Sequence, residues 1–127
     1  MFRRIHHVAI ICSDYEKSKR FYVDGLGLEV LQEHFREDRK SFKLDLRLGD
    51  SDQVELFSFP HPPQRVSSPE ACGLRHLAFA VENVGAAADH LRSKGIDVEP
   101  IRMDEFTNKR FTFFRDPDDL PLEIYEE

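Results

Sequence analysis

Two histidines and two glutamates interrupt apolar stretches of this 127-residue chain at nearly matching intervals. They are His7 in Ile-His-His-Val-Ala-Ile, Glu55 in Val-Glu-Leu-Phe, His76 in Leu-Arg-His-Leu-Ala-Phe and Glu123 in Leu-Pro-Leu-Glu-Ile-Tyr. His7 and His76 lie 69 residues apart and Glu55 and Glu123 lie 68, while each His precedes its Glu by 48 or 47. A polar group buried without a partner is costly, so four of them in register call for a shared purpose. Two imidazoles and two carboxylates make an N2O2 donor set suited to Zn, Ni, Mn, Fe or Co, and the two carboxylates balance a divalent charge. The other histidines read as surface residues: His6 projects to the opposite face by alternation, and His34, His61 and His90 fall in a turn, a linker and a helix.

The elements that must position the quartet form one unit written twice. Ile5 to Cys12 is a β-branched, apolar strand, and Ser13-Asp14-Tyr15-Glu16 offers a capping box for a helix that ends near Gly25 or Gly27. Three extended segments follow, at about Leu28 to Phe35, Ser41 to Leu48 and Gln53 to Phe59. In the second, Phe42, Leu44, Leu46 and Leu48 alternate with Lys43, Asp45 and Arg47, the period of a half-buried strand. Residues 60–73 hold four prolines and read as a linker. Then the order returns: strand Leu74 to Val81, Asn83 as cap, helix Val84 to Lys94 closed by Gly95, and extended segments at Asp97 to Met103, Arg110 to Arg115 and Leu120 to Glu126. The turn before the last strand is Asp116-Pro117-Asp118-Asp119. The expected class is α+β, a single domain over 1–127 built as βαβββ modules at 5–59 and 74–127. By alternation, Val8 and Ile10 face the first helix while His7 faces away, and Glu55, His76 and Glu123 lie on the same non-helical side of their strands.

Composition narrows the function. With 40% hydrophobic and 33% charged residues the chain reads as a globular protein, and its net charge of −6 argues against a nucleic-acid partner. The longest apolar run, Val8 to Cys12, is far short of the ~20 residues that cross a bilayer. The N-terminus lacks a signal-peptide apolar region, so no membrane association and a cytoplasmic location are expected. Cys12 and Cys72 form no CxxC and read as reduced, structural thiols. A small-molecule substrate is the expected partner, and small modules with a sheet face to cover lead us to expect a homodimer.

The stretches Ile5 to Tyr22, Gly25-Leu26-Gly27-Leu28, Val54-Glu55-Leu56, Gly73 to Phe79, and Asp116-Pro117-Asp118 through Glu123-Ile124 resemble, in order, the vicinal oxygen chelate superfamily of glyoxalase I, bleomycin-resistance proteins, fosfomycin-resistance proteins and extradiol dioxygenases. The nearest likeness is to the small YaeR-type, glyoxalase-like members. The resemblance implies paired βαβββ modules forming a curved mixed sheet around a metal, in a homodimer that often assembles each site from both subunits. It implies His7, Glu55, His76 and Glu123 as ligands of one divalent ion per chain, Zn or Ni first and Mn, Fe or Co after them. The implied activity is a metal-dependent lyase or isomerase working through an enediolate, with Glu123, or else Glu55, as general base. The bacterial glyoxalase I pattern has an Arg four residues after the first His and an Asn four residues after the first Glu. Here those places hold Ile11 and Phe59, which speaks against glutathione. Phe57 and Phe59 are expected to form an apolar wall, and Arg102, Lys109 and Arg110 are candidates to hold a substrate carboxylate or phosphate. Two alternatives remain open: a drug-sequestering protein of the bleomycin-resistance type, and a fosfomycin-type thiol or water transferase.

Overall fold

Asp14 starts the first helix. Its side chain accepts from the Lys17 amide at 3.2 Å in the computed structural model, which describes residues 1–127, so the cap lies one residue later than the Ser13 box implies. The carboxylate is the stronger acceptor for an orphan helical N–H. The helix, α1 (Tyr15–Arg20), continues as a wider π-helical turn over Phe21–Gly25. That extension keeps Tyr22 fully buried and brings the chain to Leu28, whose amide bonds back to Tyr22.

The chain divides into two compact units, Met1–Pro63 and Gln64–Glu127. In the first, α1 follows β1 (Val8–Cys12) and precedes β2 (Glu29–Arg36), β3 (Ser41–Leu48) and β4 (Asp52–Ser58), in the sheet order β1-β4-β3-β2. In the second, β5 (Leu77–Val81) leads into α2 (Val84–Ser93), β6 (Arg102–Asp104), β7 (Lys109–Arg115) and β8 (Pro121–Glu126), in the order β5-β8-β7-β6. Each sheet is mixed: its first strand runs parallel to its last, and the other pairs are antiparallel. This is the α+β tandem of βαβββ modules that the repeat implies.

Each unit fills one side of its sheet. Ile10, Leu44, Leu46, Val54 and Leu56 are buried in the first, and Val84, Ala88, Leu91, Phe114, Leu122 and Ile124 in the second. Full burial of a Leu side chain stabilises by roughly 1.5–3 kcal/mol, so the alternation of β3 and β8 fixes which side faces away. Asn83 caps α2 by accepting from the Ala86 amide at 2.9 Å. No helix is long and apolar enough to cross a membrane.

Three expectations shift. The segment Asp97 to Met103 is mostly irregular; it touches β7 at a single bridge, Val98 with Phe114, and becomes a strand only at Arg102. Proline at 100 removes a ladder donor there. His34 lies within β2, exposed and bonded to Gln32, not in a turn. Cys12 is buried, but Cys72 is exposed and so has no packing role.

Candidate metal centre and its cavity

Both histidines sit one residue ahead of their strands, and the pairing register explains why each meets a glutamate. In the first sheet Ala9 is paired with Glu55, and in the second Ala78 is paired with Glu123. Each alanine lies two residues beyond its histidine, on the same face. Its methyl leaves space, so the carboxylate reaches along the strand to the imidazole. His7 Nδ1 stands 3.6 Å from Glu55 Oε2, and His76 Nε2 stands 3.0 Å from Glu123 Oε2. The glutamate side chains are only 11% and 10% exposed, against 40% for His7 and 27% for His76. The sequence-derived quartet is therefore present as two His–Glu pairs, one in each unit, and no third His, Cys, Asp or Glu within a unit joins either pair in a metal-holding group. His6 is closer than alternation implies, its Nδ1 lying 2.9 Å from that of His7.

The surroundings of the two pairs differ. On β3, Asp45 is the cross-strand partner of Glu55, and Lys43 Nζ stands 2.6 Å from Asp45 Oδ1 and 3.8 Å from Glu55 Oε1. Gln53 Nε2 also donates to Glu55 Oε2 at 3.2 Å. In the second unit the corresponding partner of Glu123 is Phe113, whose ring meets His76 edge-on at 5.2 Å. Glu55 thus accepts from an amide and lies beside an ammonium bonded to Asp45, whereas Glu123 has the imidazole as its close polar neighbour. Phe57 and Phe59 do share Glu55's side of the first sheet, stacked at 6.3 Å, with the Arg36 guanidinium 5.0 Å above Phe57.

His76 and Glu123 open onto a cavity of about 460 Å3, within the range of small-molecule sites. Its wall includes Phe111, Phe113 and four arginines, Arg65, Arg75, Arg102 and Arg115. Of the three cations singled out in the sequence, only Arg102 borders it. Arg110 is committed to Glu126 at 2.7 Å, and that contact, with the Val84 amide, holds the Glu126 carboxyl below its ordinary range. Part of the wall comes from the stretch that reads as linker. Arg65 donates to the carbonyls of Leu74 at 2.5 Å and Arg75 at 3.0 Å, and the Ser67 hydroxyl donates to the Asp119 carbonyl at 3.0 Å. Proline content marks such a segment as irregular but carries no sign of these bonds, which is why its arginine was missed.

The family model of the Glyoxalase/Bleomycin resistance protein/Dioxygenase superfamily matches residues 4–124. The chain is 61% identical to the uncharacterized protein YwkD of Bacillus subtilis, over 100% of this chain and 99% of that one, and 56% identical to the uncharacterized protein YaeR of Escherichia coli, over 98% and 97%. The crystal structure of the glyoxalase family protein from Enterococcus faecalis matches with a TM-score of 0.92 at 52% identity, covering 98% of both chains. More distant relatives include a 2-epi-5-epi-valiolone epimerase of an Actinomyces species, 31% identical over 94% of this chain and 77% of that one, and a probable lactoylglutathione lyase of Synechocystis, 28% identical over 94% and 92%.

Proposed function

Because the chain belongs to the Glyoxalase/Bleomycin resistance protein/Dioxygenase superfamily, we propose that it is a metal-dependent lyase or isomerase of the glyoxalase I type, acting on a small substrate with two adjacent oxygens. The observation that carries this reading is the repeated pair: in each unit a nearly buried carboxylate on the last strand faces an imidazole at the foot of the first. The donor chemistry fits one divalent ion per chain, Zn or Ni before Mn, Fe or Co, held by His7, Glu55, His76 and Glu123. When bound, such an ion acts as a Lewis acid on the two substrate oxygens and acidifies the neighbouring C–H bond.

The residues divide the remaining work. Glu123, which has His76 beside it but neither the ammonium nor the amide that neighbour Glu55, is the carboxylate that turns toward the substrate and takes the C–H proton in this reading. The electron pair left on carbon passes into the adjacent carbonyl, giving an enediolate, and Glu123 returns the proton to the neighbouring carbon while the hydroxyl proton passes from the first oxygen to the second. Phe113 and Phe111 form the apolar part of the cavity wall beside this exchange. Epimerase and lyase relatives support such a reaction over pure sequestration, and an arginine-walled cavity suits a cationic drug poorly. Ile11 and Phe59 occupy the positions where the bacterial glyoxalase I pattern has its glutathione contacts, which speaks against glutathione as the partner. We also assign a homodimer: β2 is exposed along nearly its whole length, including Val30, Leu31 and Phe35, and a second copy would cover it.

The test measures metal first. Protein purified without chelator should hold about one divalent ion per chain, and His7→Ala or His76→Ala should lose most of it; equal affinity in both variants refutes the site. Glu123→Gln keeps the size and one oxygen ligand but not the basicity. At saturating metal it should abolish exchange of a substrate C–H proton with deuterated solvent, measured by NMR across a panel of vicinal-oxygen compounds. Exchange retained in Glu123→Gln and lost in Glu55→Gln moves the base to Glu55, and exchange retained in both ends the carboxylate-base mechanism. Sedimentation at micromolar concentration should show a dimer.

A further inference from the structure

Four guanidinium groups gathered around one cavity run against the composition of a chain with a net charge of −6. They outnumber the carboxylates of Glu70, Glu99 and Glu123 that border the same space. Arg65 is spent on the Leu74 and Arg75 carbonyls, while Arg75 pairs with Glu70 at 2.8 Å and Arg115 with Asp119 at 3.0 Å, both in solvent-exposed ion pairs without an aromatic support.

Arg102 is held differently. Its guanidinium carbon lies 5.1 Å from the centre of the Phe111 ring and 5.5 Å from that of Phe113, so two aromatic rings support the group from β7. Stacking of this kind leaves the N–H edge of the fork available for a planar anion. Its one acidic neighbour, Glu99, is 3.3 Å away, and both side chains are about half exposed. An ion pair so exposed is worth little and yields readily to a better-placed anion. The Phe113 ring under Arg102 is also the one that meets His76 edge-on, which sets the guanidinium one ring away from the proposed reacting centre.

We propose that the cavity takes a small anionic substrate whose carboxylate or phosphoryl group docks on Arg102, with its vicinal oxygens turned toward His76 and Glu123. This names the substrate class for the site assigned above and rests on that assignment. A carboxylate or a phosphoryl oxygen pair matches the parallel donors of a guanidinium, which a neutral carbonyl does so only weakly. Binding by Arg102 would then orient the substrate without drawing on either proposed metal-ligand pair, so the anion contact and the metal contact are separable.

That separability sets the experiment. The protein is stripped with chelator, held at constant chloride, and titrated with malonate, 2-phosphoglycolate or neutral malonamide while the arginine Nε–H signals are followed by NMR. Saturable shifts of the Arg102 signal with the two anions and none with malonamide are expected, and the tighter anion identifies the carboxylate or the phosphoryl group as the docking chemistry. Arg102→Gln should weaken anion binding about tenfold or more, a loss of roughly 1.4 kcal/mol or more, whereas Arg110→Gln should leave it unchanged. Equal response to malonamide, or unchanged anion affinity in Arg102→Gln, overturns the proposal. Metal content is measured on each preparation before it is stripped: normal metal loading without anion binding defeats this inference alone, and anion binding without metal loading defeats the metal reading instead.

Discussion

Lys43→Met isolates what the ammonium does between two carboxylates. Its Nζ stands 2.6 Å from Asp45 and 3.8 Å from Glu55, which are paired directly across β3 and β4. Unit charges about 4 Å apart interact by roughly 4 kcal/mol at an effective dielectric near 20, and removing one partner of a buried pair costs roughly 3–5 kcal/mol. The side chains here are 28%, 13% and 11% exposed, so solvent screens part of this and a cost of about 2 kcal/mol is expected. For a chain of this length that is a fall of about 7 °C in Tm, read by circular dichroism in chelator at neutral pH. Lys43→Met/Asp45→Asn should regain more than half of the loss, since one of the facing charges is gone. Ni2+ should raise the Tm of Lys43→Met more than that of the parent, a cation at His7 and Glu55 replacing the missing ammonium. An unchanged Tm in Lys43→Met, or a deficit that Asp45→Asn does not relieve, refutes the reasoning.

Asp116 accepts from the amides of Asp118 and Leu120, both at 2.9 Å, in the turn that launches β8. Asp116→Ala should cost about 2 kcal/mol by orphaning the buried Leu120 amide, measured by urea denaturation, and a loss below about 0.5 kcal/mol would count against this account. The Lys19 ammonium and the Tyr15 hydroxyl hold the Glu33 carboxyl below its ordinary range. That contribution is complete above pH 4.5 and disappears as pH falls through the depressed value. The stability difference between parent and Glu33→Gln should therefore be largest near neutrality and vanish in acid; a difference that grows on acidification has the wrong sign. Burial, with the Glu33 contact, pushes the Tyr15 hydroxyl upward, so a further loss of stability is expected on the alkaline side, above pH 10.

Strand periodicity carried most of the architecture because each module has only one apolar side to bury. The alternation of Leu44 and Leu46 with Lys43 and Asp45 gave β3 its limits and its facing, and the interval between His7 and His76 matches the period of the repeated element order. Boundaries moved where a local acceptor or a proline decided them, as at Asp14 and in the segment before Arg102. What stayed hidden were contacts set by register. Nothing in the composition of Ala9 or Ala78 marks them as the residues whose small side chains let each glutamate reach its histidine. Nor does a proline-rich stretch disclose that Arg65 will bind two carbonyls and wall a cavity.

The same register explains how a duplicated module gives each unit a His–Glu pair in unlike surroundings. Both halves keep His, Ala and Glu in the same places, so each brings one imidazole and one carboxylate together by the same strand register, through Nδ1 of His7 and Nε2 of His76. The residues around each glutamate on its own and the neighbouring strand differ between the halves: Asp45, Lys43 and Gln53 in the first, Phe113, Phe111 and Pro121 in the second. Asp45, with Lys43, surrounds Glu55 with charge, whereas Phe113 gives Glu123 an aromatic neighbour and a platform for Arg102. The differences on the neighbouring strands give Glu55 a charged surrounding and Glu123 an aromatic one, and under the proposed mechanism they set Arg102 on the side where the proton would be transferred.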